Sequence, residues 1–581
     1  MVLSNTLNKC GFEKLDRSNY SILKADVLII GGGGAGMRAA IEAASRGCEV
    51  IVANKGPAGR SGTTPMAMEA YQAVCFPGDT EELHFRDTVE GGRFLGDQNL
   101  IEALVTRARE GARDLESFGV RFKKKPDGSY DPMQHPGQTF PRALFIQGGG
   151  FGMLMGLVNE SRKNPRIRVL SDVVAVKLVQ GRDGAPTAGI FLDLKDGAPK
   201  ALLCKAVVIA TGGYEELWAH SDAASTACGD GLLLAYEAGA ELVDLEMLQF
   251  YPTIVIHPSY LKGTLFQYEL IIHPDYLGGR LLNGLGKTFF EGIPLRDAIT
   301  RSVWGEIKSG RGTEHGGVHI DLTGTAKSRQ ELTAALEKWQ PNQFHYLQSM
   351  GVDLRESLVE AAPHGHYCMG GVAVDENAAA TAPGLFAAGE AAGNLHGANR
   401  VSGNALAETQ VFGAIAGKSA AEFAGGRRSF EKAGAAAAIE EIREANRKLR
   451  TAKTQGVRPF QVRDRLRETM WKTCGIEREA KGLREGMRDL HNIQGDLIPS
   501  LTVYPGEDET IRSYPQELQD AWEVKMMAEL ANLVLSSALA REESRGNHNR
   551  LDFPETEKDP RHVFVSRKEG LRFGKVKKVL R

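Results

Sequence analysis

Hydrophobic and polar positions along residues 26–53 follow the periods of a strand, a helix and a second strand. The apolar run DVLII (26–30) leads into GGGGAG (31–36), and MRAAIEAASRG (37–47) repeats small and apolar residues at helical spacing. CEVIVA (48–53) is again almost continuously apolar. Because continuous apolar runs are typical of strands buried on both faces, this stretch predicts a βαβ unit of a parallel sheet.

The pattern continues with helical periodicity at 99–118 and 151–162 and with short strand-like runs at 167–179, 188–194 and 206–210. These segments extend the alternation of strands and helices, which favours an α/β fold for the first part of the chain.

The amino-acid composition changes at about residue 240, and aromatic residues, Pro and His are frequent from there to about residue 360. Gly-rich sequence returns at 365–425, and residues 430–540 are charged with an amphipathic helical period. The polar tail from about 545 ends in a basic stretch. We interpret the middle segment as a second domain inserted into the first.

Length and composition set broad limits. A chain of 581 residues exceeds one hydrophobic core, so two to four domains are expected. The hydrophobic share of 42%, the charged share of 25% and the net charge of −2 are typical of a globular protein without a nucleic-acid partner.

Cysteine usage and the N-terminus exclude further classes. The 7 Cys are scattered without a C-x-x-C pair, so we expect no metal site or iron–sulfur cluster in this chain. Residues 1–24 lack the apolar core of an export signal, and no run approaches a membrane-spanning length. We therefore expect a cytoplasmic protein without membrane insertion.

The turn after the first strand carries candidate chemistry. Gly31, Gly33 and Gly36 form a G-x-G-x-x-G pattern between a buried strand and a helix. The first glycine permits the tight turn, the second lets the backbone approach a pyrophosphate, and the third lets helix and strand pack closely. The pattern in this setting predicts a dinucleotide site that includes Gly34 and Ala35.

The second strand ends in Asn54 and Lys55, not in the acid that a typical NAD site places on the ribose. Two more glycine turns follow apolar strands, ATGG (210–213) and GLFAAGE (384–390). Three such turns spread over the chain favour a long cofactor of the FAD type.

Longer motifs occur in a specific order over nearly the whole chain. They are GGGGAGMRAA, DTVEGGRFLGDQ (87–98), ATGGY (210–214), CGDGLLLAYEAGAELVDLEMLQFYPT (228–253), LRDAITRSVWGEIKSGRG (295–312), HYCMGGVAVD (366–375), GLFAAGEAAGNLHGANRVSGNALAE (384–408) and REESRGNHNRLDFPE (541–555). With these motifs the chain resembles the succinate dehydrogenase/fumarate reductase flavoprotein subunits, to which L-aspartate oxidase and the adenylylsulfate reductase flavoprotein are related.

The resemblance implies an α/β protein with a Rossmann-like FAD-binding domain interrupted by an α+β capping domain. We place the FAD-binding domain at 20–240 and 363–427 and the capping domain at 241–362. A helical domain (428–540) and a C-terminal tail (541–581) complete the expected organisation.

The resemblance also implies the FAD contacts. They are Gly31, Gly33, Gly34, Ala35, Gly36, Asn54, Lys55, Arg60, Ser61, Gly62, Thr63, Thr64, Ala210, Thr211, Gly212, Asp230, Glu390, Arg400, Asn404, Ala405 and Leu406. Respiratory members carry a His in an R-S-H-T context that is covalently linked to FAD, and this chain has Gly62 there. We therefore predict non-covalent FAD.

For the chemistry, the resemblance implies hydride transfer between flavin N5 and a carbon of a CH–CH or C=C pair flanked by carboxylates. Arg296 matches the proton-transferring Arg, and His366 and Arg400 match carboxylate-binding positions. We expect these three residues to be catalytic.

Two departures concern the substrate end. Tyr251 replaces the family's His, and the family's T-E-G segment is replaced by FQYELIIHPDYLGG (266–279), where Glu269 is the candidate acid and His273 an alternative polar group. We expect Tyr251 and Glu269 to bind substrate with His366 and Arg400. A larger or different unsaturated acid than fumarate stays open.

The leading hypothesis is the flavoprotein subunit of a soluble fumarate-reductase-like complex that receives electrons from a separate iron–sulfur subunit. The basic tail and ESRGNHNR (543–550) are the candidate docking surfaces. One alternative is an L-aspartate-oxidase-like or other small-molecule flavoenzyme, in which Glu269 would pair with the substrate ammonium. Another is an electron-transfer module with no substrate of its own.

Overall fold

A computed structural model describes residues 13–14, 21–68, 70–451, 456–504 and 515–579. The α-helices in these ranges are α1 (Gly34–Ser45), α2 (Glu81–Gly91), α3 (Gln98–Ser117), α4 (Gly149–Ser161), α5 (Asp230–Glu237), α6 (Tyr268–Ile272), α7 (Arg296–Glu306), α8 (Arg329–Trp339), α9 (Pro341–Ser349), α10 (Asn404–Gly425), α11 (Ala435–Thr451), α12 (Pro459–Thr473), α13 (Ala480–Asn492) and α14 (Gln516–Ala540).

The strands are β1 (Glu13–Lys14), β2 (Ser21–Lys24), β3 (Val27–Ile30), β4 (Val50–Ala53), β5 (Ala70–Gln72), β6 (Ala143–Phe145), β7 (Ile167–Leu170), β8 (Val173–Gln180), β9 (Pro186–Asp193), β10 (Pro199–Leu203), β11 (Ala206–Ile209), β12 (Leu242–Val243), β13 (Leu248–His257), β14 (Arg280–Leu282), β15 (Val318–Asp321), β16 (Val359–Cys368), β17 (Gly371–Val372), β18 (Leu385–Ala387), β19 (Arg561–Ser566) and β20 (Gly570–Lys575).

A parallel sheet with the order β18-β11-β3-β4-β7 forms the centre of the molecule. Val208 pairs with Ile29, and Ile29 with Val52, so the apolar runs lie side by side. The predicted βαβ unit is confirmed, because α1 connects β3 to the parallel strand β4. Each run is apolar throughout because both faces of the sheet are covered.

Helix α10 packs directly on α1 because both helices present small residues to each other. A Cβ at Gly413 or Gly417 would press against the backbone oxygens of Ala35 and Ala39. The close contact of the two helices fixes the start of α1, which faces the glycine-rich turn after β3.

A second apolar cluster lies outside this core and draws most of its residues from 251–361. It surrounds the antiparallel sheet β13-β16-β15-β14. Strand β13 passes from one cluster to the other, since Leu248 and Phe250 pack in the main core and Tyr251 and Ile254 in the second. This arrangement gives a physical basis for an inserted capping domain, although the boundaries at 241, 363, 428 and 541 stay predictions.

The helices α11–α14 share the main core with the parallel sheet, so the region predicted as a helical domain packs continuously against the nucleotide-binding part. The strands β19 and β20 of the tail form a hairpin that pairs with β12. No helix in the described ranges has the length and apolarity to cross a bilayer.

One predicted docking surface is wrong. The side chains of Arg545, His548 and Arg550 are 5%, 0% and 1% exposed. Arg550 donates to Ala538 O at 2.9 Å, and His548 Nδ1 lies 2.7 Å from Arg478 Nη1. The segment 543–550 therefore anchors the tail to α14 and to the connection between α12 and α13 from inside the protein, because its arginines satisfy buried backbone carbonyls and carboxylates.

Candidate functional site

A long cleft of about 400 Å³ opens at the carboxyl ends of the parallel strands. It is lined by the turns after β3, β4, β11 and β18, which are residues 31–35, 53–55, 210–212 and 388–390. Ligands of open parallel sheets bind at this edge because the strand-to-helix turns converge there. The three glycine turns that the sequence singled out thus meet in one cleft.

Glycine is required at two of these positions. Gly31 has φ +106°, and a Cβ on it would collide with Ala210 O. A Cβ on Gly36 would collide with Gly31 O. Gly36 does not line the cleft; it lets α1 start close behind the turn, in line with the packing role predicted for it.

The start of α1 is open to the cleft and suits an anion. Its N-cap is Gly33, which has no side chain to cap the first N–H groups, and the first turn carries no acidic residue. Thr211 Oγ1 is buried at the cleft without a partner in the described residues. Thr64 accepts from the first of these N–H groups, Gly34 N, and the remaining N–H groups, the helix dipole and the unsatisfied hydroxyl fit the pyrophosphate and hydroxyls of a dinucleotide such as FAD.

Asn54 fixes the loop beside the cleft. Its Oδ1 accepts from Gly32 N at 3.0 Å, and its Nδ2 donates to Gly56 O at 2.8 Å and Ser61 Oγ at 3.0 Å. Thr64 Oγ1 accepts from Gly34 N at 3.0 Å. Residues 61–64 line the cleft, but Arg60 is exposed and does not.

Lys55 is held by charges that sequence reasoning did not connect. Its Nζ lies 3.2 Å from Asp230 Oδ2 and 3.0 Å from Glu523 Oε1. Glu523 belongs to α14 and also pairs with Arg463 at 2.6 Å. The predicted cofactor residues Lys55 and Asp230 therefore neutralise each other. No local motif around Glu523 indicates that this residue joins their ion-pair cluster.

The three cofactor residues predicted at the start of α10 differ in where their side chains lie. Ala405 and Leu406 line the cleft. Asn404 does not, since its side chain is buried against His84 Nε2 at 3.0 Å and Thr88 Oγ1 at 3.2 Å. Asn404 thus ties the start of α10 to α2, and any contact with the cofactor would come from its neighbours.

Glu390 lines the cleft next to a second carboxyl group that the sequence did not single out. Glu390 Oε1 and Glu215 Oε1 both accept from Cys368 N at 3.1 Å. Burial raises the Glu390 pKa well above its usual range, and the Glu215 charge raises it further. The raised pKa favours the protonated form of Glu390, which can donate to a hydroxyl group.

Arg296 lines the far end of the cleft, where β13 enters the second cluster. It donates to Gln249 Oε1 at 3.2 Å, Glu269 Oε1 at 3.1 Å and Ser402 Oγ at 3.0 Å. Burial alone would lower its pKa, but Glu269 outweighs burial and the pKa is raised. Its ionic partner is Glu269 and not the adjacent Asp297, which binds Arg93 at 2.7 Å.

His366 and Arg400 lie beside each other at the same end. Arg400 Nη2 is 3.1 Å from His366 Nε2, and His366 Nδ1 is 2.9 Å from Asp222 Oδ2. Burial lowers the His366 pKa despite Asp222, so the ring is neutral at pH 7. Burial and the nearby Arg296 charge lower the Arg400 pKa to about 10, which leaves it a cation.

Tyr251 and Glu269 form one unit behind Arg296. The Tyr251 hydroxyl donates to Glu269 Oε2 at 2.6 Å, and the Arg296 guanidinium lies 4.7 Å from the Tyr251 ring centre. Burial raises the Glu269 pKa, but Arg296 and His135 reverse this and keep it below the usual range. Tyr251 lines the cleft; Glu269 and His273 do not.

Sequence reasoning missed three groups at this end: Asp222, Gln249 and Ser402. Gln249 and Ser402 lie inside the quoted motifs, so motif position was an available signal. Asp222 has no such signal, because its contact with His366 spans 144 positions. No group of three or more His, Cys, Asp or Glu in the described part of the chain is placed to hold a metal ion.

Two families match this chain: the FAD binding domain family over residues 26–406 and the fumarate reductase flavoprotein C-terminal family over residues 463–570. One subunit of the fumarate reductase (CoM/CoB) of Methanothermobacter marburgensis is 36% identical over 94% of this chain and 98% of its own length. The L-aspartate oxidase of Caulobacter vibrioides is 30% identical over 96% and 99%.

Solved structures agree. The E. coli quinol fumarate reductase flavoprotein matches with a TM-score of 0.87 and 28% identity, covering 96% of this chain and 98% of that chain. The adenylylsulfate reductase of Archaeoglobus fulgidus shares the fold, with a TM-score of 0.78 and 19% identity over 98% of both chains. The chain therefore belongs to the FAD-binding flavoprotein family of fumarate reductases and succinate dehydrogenases, and it is an FAD-dependent oxidoreductase that acts on CH–CH groups.

Proposed function

We propose that this chain is the flavoprotein subunit of a fumarate-reductase-like complex and reduces the C=C bond of a small unsaturated carboxylate. The observation that carries the proposal is the position of Arg296, His366 and Arg400 together at one end of the FAD cleft. Bound FAD supplies hydride to the C=C bond, and the residues at this end hold the acid and provide the proton.

Arg400 binds the substrate carboxylate, and His366 holds Arg400 in place by accepting from its Nη2. Arg400 is a cation in a buried position, and its Nε has no hydrogen-bond partner in the described residues. Asp222 accepts from His366 Nδ1, which leaves Nε2 turned toward Arg400 and the cleft. A carboxylate here gains a charge-assisted hydrogen bond in a site of low dielectric constant.

Arg296 provides the proton for the carbon that does not receive hydride. Because Glu269 raises its pKa, Arg296 is a weak acid in the resting site and gives up a proton only to a strongly basic carbon. Gln249, Glu269 and Ser402 fix the guanidinium, so the proton stays in one place. This positioning supports catalysis by orientation.

The predicted FAD contacts follow the lining of the cleft: the turns at Gly31–Ala35 and Ala210–Gly212 for the pyrophosphate, and Glu390 for ribityl hydroxyls. The loop 61–64, Ala405 and Leu406 would lie along the flavin. Lys55 and Asp230 act as a neutral pair at the wall of the cleft, supported by Glu523.

Electrons reach the flavin from a partner in this proposal. The Methanothermobacter relative is named as one subunit of its enzyme, which supports an assembly. An iron–sulfur subunit remains the proposed donor. With 543–550 buried, the candidate surface that remains is the exposed turn of the tail hairpin around Arg567 and Lys568.

The alternatives have less support. An aspartate oxidase needs a free acid for the substrate ammonium, and Glu269 is already bonded to Arg296 and Tyr251. An electron-transfer module has no use for a buried Arg400 beside His366. The site therefore favours reduction of an acid.

The test compares two arginines on α7. Arg296→Lys should slow reoxidation of the reduced holoprotein by an unsaturated acid by about 10²- to 10⁴-fold while FAD stays bound. Arg301→Lys is the matched control, since Arg301 is 38% exposed and donates to Gly546 O; it should change the rate less than about twofold. Equal rates in both variants would remove Arg296 from the mechanism.

A further inference from the structure

The charges at the substrate end of the cleft are almost fully paired within the protein. Arg296 is paired with Glu269 at 3.1 Å and His366 with Asp222 at 2.9 Å. Glu269 neutralises Arg296, and the neutral His366 ring carries no positive charge, so neither residue offers a cation to a ligand. The pairing is buried, so solvent does not replace the partners.

Arg400 is the exception. No carboxylate in the described ranges forms an ion pair with its guanidinium, whose neighbours are His366 Nε2 at 3.1 Å and the Tyr367 ring at 4.3 Å. The nearby Glu408 is bonded to His396 at 2.8 Å and Tyr367 at 2.9 Å. Arg400 can therefore neutralise one carboxylate.

The wall next to Tyr251 offers no unpaired cation, because Glu269 neutralises the Arg296 guanidinium that lies over the Tyr251 ring. The segment 263–267 runs beside β13, with Phe266 N donating to Thr253 O at 3.1 Å, and Thr264, Leu265 and Gln267 line the cleft. The Gln267 side chain is 5% exposed, and its Oε1 is buried without a hydrogen-bond partner in the described residues. An unsatisfied buried amide oxygen needs a donor from the ligand.

We propose that the substrate is an α,β-unsaturated acid with a single carboxylate, which Arg400 binds, and with an uncharged polar group such as an amide at the Gln267 end. The inference rests on the proposed function and narrows its substrate class. A second carboxylate would be buried against Tyr251 and Gln267, where the nearby cation Arg296 is already paired with Glu269, and burying an unpaired carboxylate is costly.

The step balances for such an acid. One carbon of the C=C bond receives a hydride, which is a proton with two electrons, from reduced FAD. The other carbon receives a proton through Arg296, and the product is CH–CH. FAD is left oxidised, and the carboxylate and the amide are unchanged.

The test measures binding to the oxidised holoprotein, in which none of the acids can turn over. Calorimetry compares fumarate, monomethyl fumarate and fumaramate, which share one carbon skeleton and differ only in the second carboxyl group. We expect fumaramate and monomethyl fumarate to bind at least about tenfold more tightly than fumarate.

Two variants sharpen the result. Tyr251→His places a protonatable ring beside Glu269 and should raise fumarate affinity relative to fumaramate by about tenfold. Gln267→Met removes the unsatisfied amide and should weaken fumaramate about tenfold while leaving crotonate, which has a methyl group at that end, nearly unchanged.

The outcomes separate this inference from the proposed function. If fumarate binds as tightly as fumaramate and its reduction still depends on Arg296, the single-carboxylate inference is overturned and the proposed function stands. If none of the acids binds, both are overturned. Loss of fumaramate and crotonate binding alike in Gln267→Met would also contradict the assigned role of Gln267.

Discussion

Gly62 stands in the loop that lines the cleft, with φ +84° and open space where a side chain would extend. Respiratory relatives attach FAD through a His at the matching position, and a glycine has no atom for that bond. The FAD of this chain is therefore held by contacts alone.

Acid denaturation tests this directly. Precipitation of the holoprotein with trichloroacetic acid should leave the flavin in the supernatant, because no covalent bond retains it. Absorbance of supernatant and pellet measures the distribution. Flavin that stays in the washed pellet would show that another side chain forms the bond.

Glu390 gives the site a titration with a defined sign. Its pKa is raised in the folded protein by burial and by Glu215. The folded state then holds the proton more tightly than the unfolded state, so the stabilisation is present below the usual Glu pKa and is lost as pH rises through the raised pKa.

The unfolding temperature of the apoprotein should therefore fall because of this group as pH is raised over a range that starts at the usual Glu pKa. Glu390→Gln keeps a neutral hydrogen-bonding side chain and should reduce that fall. Differential scanning fluorimetry across the range gives the measurement, with the exposed Glu444→Gln as control. The same pH dependence in both variants would be inconsistent with a protonated Glu390.

Among single residues, the sequence predicted those whose role is set by local geometry. Gly31 and Gly36 follow from the strand–turn–helix pattern, and Arg296 from its motif. The partners Glu523, Asp222 and Glu215 were not predictable, because each reaches its contact over more than 140 positions and through burial that no local pattern encodes.

At the scale of elements, α14 reaches into the cofactor end of the molecule. Its Glu523 is 2% exposed and connects Lys55 after β4 with Arg463 on α12. One buried carboxylate thus joins a strand end and two helices, and removing it leaves two buried cations with fewer partners.

Glu523→Ala should destabilise the protein by about 3–5 kcal/mol and weaken FAD retention. The exposed Glu444→Ala, which breaks a 2.7 Å pair with Arg447, should leave the unfolding temperature nearly unchanged. Thermal unfolding and the FAD-to-protein ratio after gel filtration measure both effects. Equal shifts in the two variants would place Glu523 outside the folding core.

The elements themselves were largely predictable. The helices expected at 99–118 and 151–162 are Gln98–Ser117 and Gly149–Ser161. The run at 167–179 separates into β7 and β8, since Asp172 adopts φ +61° between them. We predicted a docking surface at 543–550 because the segment is polar. Its arginines are instead buried, where they bind backbone carbonyls and carboxylates.

At the scale of the whole molecule, one core holds the parallel sheet and the helical region, and a second core holds most of 251–361. The cleft runs from the turns of the first to the β13 wall of the second. The change in amino-acid composition at about residue 240 indicated this division. The ion pairs at the substrate end could not be predicted from the sequence.

We propose that this site reduces an unsaturated acid with electrons held on FAD. The most direct measurement mixes anaerobically photoreduced holoprotein with one equivalent of fumarate, monomethyl fumarate or fumaramate and follows flavin absorbance and product by NMR. If the site reduces unsaturated acids, at least one of the three acids should restore the oxidised flavin spectrum and yield the saturated acid in equal amount. If the flavin stays reduced with all three acids, whether or not oxygen later reoxidises it, this chain does not reduce such acids.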